Sequence, residues 1–504
     1  MMRQGRTGLH VVLATMVLAV AATAARADVQ GFVQEILDAS NLGETKVGVL
    51  MVDVETGETL AAVNAVAALF PASNMKLVTT AAALGILGPD FVFRTELRLV
   101  RAADFPANER DDAAADVPGV TVVVKGDGDP AFCEPDLLAA HDLDGEDVLA
   151  AWVGAVRTAG ATRSDRLVID DRIFDQEFVH EGWPVDQLNR SYCAQVAGLN
   201  FYANCLDITP QPTQGGLSPR ITIAPRMPDL ITRNLAKTGN ADTFWIERRM
   251  GTNQLTFRGQ VRTRGGAPKQ VTVHDPPMVF ADVFAQRLRE AGIEVGRIDR
   301  ALPDESLPDG TALHVFQTTL PVVLARTNKD SHNLFAEALL KRIARHVTGQ
   351  PGSWSNGSAA VRVLLRQKLG APAAGIIIAD GSGMSRENSV SPLLLCRLLT
   401  EVHKDRRLGP LFRDSLSVGG EDGTLENRFA GLTGTVYGKS GYINGVSCLS
   451  GYLVMPGDEG RIVAFSLMFN DFKPPLFAGD MKRVQNELVA VLDRHLVEKT
   501  QAER

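Results

Sequence analysis

The chain has 504 residues, 45% of them hydrophobic and 22% charged, an ordinary globular composition that at about 150 residues per domain predicts two to four domains. Its 59 acidic against 52 basic side chains give a formal charge of −7, which argues against nucleic acid as a partner. Five cysteines with no Cys-x-x-Cys pair and nine histidines with no His-Glu-x-x-His cluster leave no zinc or redox motif, and no cofactor is expected.

Arg3 and Arg6 precede an apolar run from Leu9 to Ala25 that ends in Ala25-Arg26-Ala27, the pattern of a secretory signal cut before Asp28. The run is short for a bilayer span. Removing its three arginines takes the formal charge from −7 to −10, and no later run is long enough to cross a membrane. The expected location is therefore periplasmic or otherwise exported. Export permits disulfides, and Cys193 and Cys205 are close enough to close a small loop. Cys396 and Cys448 sit in apolar contexts and read as buried thiols.

Hydrophobic periodicity then predicts a short helix over 31–40 and a hairpin of 47–53 and 59–63 around the turn Glu55-Thr-Gly-Glu58. Phe70-Pro-Ala-Ser-Asn-Met-Lys76 runs into a small-residue helix over 77–84, so the hairpin delivers a serine to a helix start. From Phe91 the texture becomes strand-rich, with a loop over 101–117, a strand at 120–125, a helix over 146–159 and a strand at 165–170. Residues 181–265 are strand-like and rich in turn residues, and 277–291 is helical. This reads as inserted material. From Leu313 helical texture returns, with periodic runs at 320–326, 331–346, 359–369 and 392–403. Strands follow at 434–442, 447–454 and 461–468. Val484, Leu488, Val491, Leu492 and Leu496 have helical spacing, expected to pack on the protein's own sheet.

Three short patterns carry chemistry. Ser73 and Lys76 are three apart at a helix start, which puts a nucleophile and a base on one face beside the partial positive charge of the helix N-terminus. Alone, Ser-x-x-Lys is also what a capped helix with a surface lysine looks like. Ser331-His-Asn333 is the only Ser-x-Asn, and by itself reads equally as a helix-capping serine. Lys439-Ser-Gly441 lies on a strand that turns at Asn444-Gly445, where a hydroxyl and a cation suit a carboxylate. Lys237-Thr-Gly239 matches the third pattern too, but it precedes Ser331 and lies in the inserted region with no hairpin behind it.

In this order, Ser-x-x-Lys, Ser-x-Asn and Lys-[Ser/Thr]-Gly are the three signatures of penicillin-binding proteins and serine β-lactamases. Pro71-Ala-Ser-Asn-Met-Lys76, Gly126-Asp-Gly-Asp-Pro130, Arg166-Leu-Val-Ile-Asp-Asp171, Gly182-Trp-Pro184, Asp380-Gly-Ser-Gly-Met-Ser-Arg386 and Gly420-Glu-Asp-Gly-Thr-Leu425 resemble the low-molecular-mass class C penicillin-binding proteins. These are D-Ala-D-Ala carboxypeptidase/endopeptidases related to DacB, peptidase family S13. The resemblance runs from about Val47 to Asn470 and includes the large insertion between the first two motifs. Two departures stand out: His332 where Asp is usual, and Ser440 where Thr is usual.

The resemblance implies a multidomain α/β (α+β) fold: a β-lactamase/transpeptidase-like catalytic domain, an antiparallel sheet with helices on both faces, made of 28–90 and 305–504 after a signal at 1–27. A second domain (91–180 and 266–304) is inserted in it, and a third (181–265) is nested in the second. It also implies that Ser73 attacks the penultimate D-alanine carbonyl of a peptidoglycan stem peptide with Lys76 as base, and that Ser331 relays a proton to the leaving D-alanine. Asn333 would bind the substrate amide, and Lys439 and Ser440, beside Gly441, the terminal carboxylate. The backbone N–H groups of Ser73 and Tyr442 would form the oxyanion hole, and β-lactam antibiotics would act as covalent inhibitors. No metal is implied. A β-lactamase or esterase on the same fold, and a non-catalytic peptidoglycan-binding scaffold, are the competing readings. The five intact polar residues of the motifs count against the scaffold. Relatives often carry a cysteine pair where Cys193 and Cys205 fall.

Overall fold

The computed structural model describes residues 29–101, 104, 120–227, 229–457 and 461–503. The expected signal at 1–27 and most of the loop at 101–117 lie outside the described residues. In chain order, helix α1 (29–39) precedes strands β1 (Lys46–Asp53) and β2 (Thr59–Val63) and helix α2 (Met75–Leu87). The chain then leaves through β3 (Val92–Arg101), β4 (Val120–Lys125), α3 (Pro135–Ala139), α4 (Gly145–Thr158) and β5 (Arg163–Asp170). Eight short strands follow: β6 (Cys205–Gln211), β7 (Arg220–Ala224), β8 (Thr232–Asn234), β9 (Lys237–Thr238), β10 (Trp245–Arg248), β11 (Leu255–Arg258), β12 (Gln260–Val261) and β13 (Lys269–Thr272). The return runs through α5 (Pro276–Glu290), β14 (Glu294–Arg300) and β15 (Thr311–Thr319). Helices α6 (Leu320–Asn328), α7 (Asn333–Thr348), α8 (Trp354–Leu369), α9 (Pro392–Lys404) and α10 (Leu408–Asp414) come next. Strands β16 (Ser417–Val418), β17 (Thr435–Ile443), β18 (Val446–Val454) and β19 (Ile462–Asn470) and helix α11 (Ala478–Glu503) close the chain.

The main sheet has the order β16-β17-β18-β19-β1-β2, with every pairing antiparallel. Its strands alternate between two cores, as the period of two requires. Val463, Phe465 and Leu467 of β19 pack with Val484, Leu488, Leu492 and Leu496 of α11 on one face. Ala464 and Met468 face the other core, with Leu77 and Val78 of α2 and Leu394, Leu395 and Leu399 of α9. The C-terminal helix therefore packs on the sheet, as its spacing predicts. The central helix α2 is buried almost all round, with Met75 to Leu84 all enclosed, because its small and apolar residues leave room for α6, α7 and α9.

A five-stranded sheet, β14-β5-β4-β3-β15, carries α4 and α5 over an aromatic core of Phe132, Trp152, Phe280 and Phe284. β15 belongs to this sheet, pairing with β3 from Thr311 against Leu99 to Thr319 against Val92, although it falls after residue 304, where the sequence reading returns to the catalytic part. The short strands surround a smaller core of Leu206, Ile208, Phe244, Leu255, Phe257 and Val271. β13, beyond residue 265, pairs with β6 in this unit.

All five cysteines are free and buried, so the bridge that the sequence leaves open between Cys193 and Cys205 is not formed. The thiol of Cys193 is turned elsewhere, 3.5 Å from the sulfur of Met384.

Candidate active site

A single 3-10 turn, Ala72–Asn74, leads into α2 and sets Ser73 one turn before Lys76. Ala72 has φ of 45° and Ser331 φ of 58°, a left-handed backbone that costs a residue with a Cβ about 1 kcal/mol or more and persists only where the surroundings impose it. Lys76 is fully enclosed. Its Nζ reaches Ser73 Oγ at 3.0 Å, Asn333 Oδ1 at 2.6 Å and the carbonyl of Ser382 at 3.0 Å. Burial pushes the Lys76 ammonium down to about 7, against the opposing pull of the Glu337 and Asp380 carboxylates.

Strand β17 brings the third motif alongside. A Cβ added at Gly441 would lie 3.0 Å from the Ser73 nitrogen and 3.0 Å from the Pro71 carbonyl oxygen, so the strand passes the nucleophile's backbone at a distance that favours glycine there. The Asn74 carboxamide ties the two elements together, reaching the Lys439 carbonyl at 2.8 Å and the Ser450 hydroxyl at 2.7 Å. Lys439 is also fully enclosed, donating to its neighbour's carbonyl at Ser440. Burial and the nearby Lys76 cation hold it well below the usual lysine range, partly offset by Asp330. The like-charge effect between the two lysines falls on Lys439, while burial is what lowers Lys76. The Ser440 hydroxyl donates to Thr424 Oγ1 at 2.8 Å, and Tyr442 is 59% exposed beyond it.

The second motif sits at the start of α7. His332, not Ser331, is the residue before the first helical turn, and it makes no side-chain cap, so the capping role for Ser331 does not hold. Asn333 spends its amide oxygen on Lys76 and its nitrogen on the Tyr192 carbonyl, 2.8 Å away. Ser331 is not one of the three groups that Lys76 Nζ contacts. The His332 ring packs on Phe335 with centroids 4.8 Å apart. Burial, with the Arg326 and Lys76 cations, pushes its imidazole down to about 3, so it is neutral near pH 7.

Two of the motifs that carry the resemblance, 380–386 and 420–425, reach the site, through the Ser382 carbonyl on Lys76 and Thr424 Oγ1 on Ser440. Asp380 accepts from the backbone N–H groups of Gly383 and Ser385, from Asn388 and from the Trp183 indole. From α7, the buried carboxylate of Glu337 accepts from Gly381 N, Ser382 N and the Trp354 indole, each at 2.8 Å. Glu337, Ser382, Trp183 and Trp354 were given no role from sequence. The available signal was the spacing of Glu337, four residues from Asn333 and so on the same helix face. Lys237-Thr-Gly239 falls at β9, paired with β12 in the small nested unit. Among the described residues no cluster of His, Cys, Asp and Glu could hold a metal ion.

The antiparallel sheet with helices on both faces, and a serine and lysine at the head of its buried helix beside a Lys-Ser-Gly strand, define a transpeptidase-like serine peptidase class. The model of the D-Ala-D-Ala carboxypeptidase 3 (S13) family matches residues 29–495. The D-alanyl-D-alanine carboxypeptidase of Actinomadura sp. strain R39 is 32% identical over 92% of this chain and 84% of its own length. D-alanyl-D-alanine carboxypeptidase DacB of Haemophilus influenzae is 23% identical over 89% of each chain. The crystal structure of penicillin binding protein 4 (DacB) from Haemophilus influenzae superposes with a TM-score of 0.74 at 22% identity, covering 92% of this chain and 99% of that one. The same protein complexed with a β-lactam gives a TM-score of 0.68 at 21% identity, with the same coverage. The chain belongs to the D-Ala-D-Ala carboxypeptidase 3 (S13) family, and with it to the serine-type carboxypeptidases.

Proposed function

We propose that this chain removes the terminal D-alanine from peptidoglycan stem peptides through an acyl-enzyme on Ser73. The observation that carries the reading is the 3.0 Å contact between Ser73 Oγ and the buried Nζ of Lys76. The neutral amine accepts the hydroxyl proton along this contact as Oγ bonds to the carbonyl carbon of the penultimate D-alanine. The C–N bond then breaks, and D-alanine departs with a proton delivered through Ser331. Water attacks the ester, and Ser73 is restored. The N–H groups of Ser73 and Tyr442 receive the oxyanion, where each such donor contributes about 3 kcal/mol. Asn333 orients the substrate amide, and Lys439 with Ser440 takes the terminal carboxylate. The serine at 440 keeps the hydroxyl that this role needs.

A β-lactam places its strained amide at the same carbonyl position and acylates Ser73. The Haemophilus influenzae protein of the same fold has been solved with such a compound. An internal D-amino-acid crosslink is cleaved by the same chemistry when a longer chain takes the place of D-alanine, the endopeptidase form of the activity. Export after removal of residues 1–27 places the enzyme with this substrate. Among the described residues no helix is long and apolar enough to cross a membrane. The test is release of D-alanine from a synthetic peptide ending in D-Ala-D-Ala. Wild type releases it, and Ser73→Ala loses at least roughly a thousandfold in kcat. A Ser73→Ala protein that keeps its activity overturns the reading.

A further inference from the structure

Two buried carboxylates flank the segment 380–385, and their bonds divide the work. Asp380 folds the segment on itself, through Gly383 N and Ser385 N. Glu337 reaches in from another element and holds a single stretch of backbone: Gly381 N through Oε2 and Ser382 N through Oε1. The other side of that stretch faces α2, where Thr79 Oγ1 donates to the Gly381 carbonyl at 2.7 Å and Lys76 Nζ donates to the Ser382 carbonyl at 3.0 Å. The two carbonyls thus point at two residues of α2 three positions apart, while the N–H groups between them point at α7. A Cβ on Gly381 would lie 2.6 Å from the Ala336 carbonyl oxygen, so the segment lies directly against α7.

We infer that Glu337 is a positioning residue for acylation, clamping the Gly381–Ser382 backbone so that the Ser382 carbonyl holds Lys76 Nζ against the Ser73 hydroxyl. The inference deepens the proposed function and rests on it. A fully enclosed carboxylate is costly to bury unless its acceptors are filled, and Glu337 fills them with three N–H donors. A glutamine cannot replace it: with one amide oxygen and one N–H₂ group, it turns a donor toward at least one of the three N–H groups. Burial and the Asp380 carboxylate raise Glu337 itself to about 7, and in its ionised form it supplies negative charge that favours the ammonium form of Lys76. The other titratable groups facing the pair are Asp380 from the loop, Lys341 on α7 with its partner Asp175, and, on the Lys76 side, Lys439 from β17 and His332.

The experiment measures the rate of labelling by a fluorescent penicillin across the neutral pH range, for wild type, Glu337→Gln and Thr79→Val, with the melting temperature of each. In Glu337→Gln the plateau rate falls roughly a hundredfold, as for a reactant displaced by about 1 Å, and the acid limb of the profile moves to lower pH because a charge that stabilises the ammonium is gone. In Thr79→Val, which loosens the same backbone without changing charge, the rate falls and the limb stays in place. A Glu337→Gln protein labelled at the wild-type rate, or slowed with an unmoved limb, overturns the inference. If Glu337→Gln does not fold, Thr79→Val decides: slowed labelling supports the clamp, and unchanged labelling overturns it. Failure of wild type to be labelled at all is a different result, and removes the acyl-enzyme reading beneath it.

Discussion

Lys76 has no exposed surface, and the loss of hydration that brings its ammonium down to about 7 leaves a substantial neutral fraction near physiological pH. In the proposed mechanism only the neutral amine accepts the Ser73 proton, so acylation is expected to rise as pH increases through about 7 and to fall below it as Lys76 is protonated. A histidine beside the site invites a different assignment, since an unperturbed imidazole titrates in the same range. His332 is held at about 3 and is neutral throughout that range. His332→Gln therefore leaves the midpoint of the acid limb where it is, measured as penicillin labelling rate against pH; a limb that disappears in this variant assigns it to the histidine. Ser73, Lys76, Asn333 and Lys439 were legible in the sequence because each is a side chain in a spaced motif. The carbonyl of Ser382 was not, since any residue type supplies a carbonyl and only the fold aims this one at Lys76 from 306 positions away.

At the scale of elements, the site depends on how closely the segment 380–385 approaches the turn that carries Ser73. Gly383 has φ of 83°, and a Cβ there would lie 1.8 Å from the Ala72 carbonyl oxygen and 2.5 Å from its carbon. Both atoms are backbone, so one of the two segments must move. Gly383→Ala is expected to cost more than about 1 kcal/mol of stability and to slow acylation in the molecules that remain folded, read by thermal melting and by labelling rate per folded protein; an unchanged melting temperature contradicts the packing. The elements of the main sheet were readable from alternation, and α9 and α11 from helical spacing, because both pack one face against a sheet. β15 was read as the return of helical texture, since its partner β3 lies more than 200 residues earlier and an edge strand with few buried residues carries a weak pattern. The cysteine pair stayed open in the sequence for a related reason: closeness in sequence fixes neither thiol's direction, and Cys193 points at Met384.

Across the whole molecule, the inserted chain forms part of the catalytic surroundings as well as an appendage. The Trp183 indole donates to Asp380, and the Tyr192 carbonyl receives Asn333. Asp127 pairs with Arg342 of α7 at 3.1 Å, and Glu134 with Arg326 of α6 at 2.5 Å. These ties join segments separated by 141 to 215 residues, and two of them, from Tyr192 and Asp127, fall on α7, which presents Asn333 and Glu337. The texture change at the seams was visible in the sequence; these cross-chain bonds were not, because they join isolated polar residues with no shared motif. The proposed function turns on one covalent event, the transfer of an acyl group to Ser73, and the intact mass of the protein after incubation with penicillin tests it most directly. The account predicts a wild-type mass increased by one penicillin, with the adduct on the peptide containing Ser73, and an unmodified Ser73→Ala protein. A Ser73→Ala protein that gains the same mass, or a folded wild type that gains none, contradicts it.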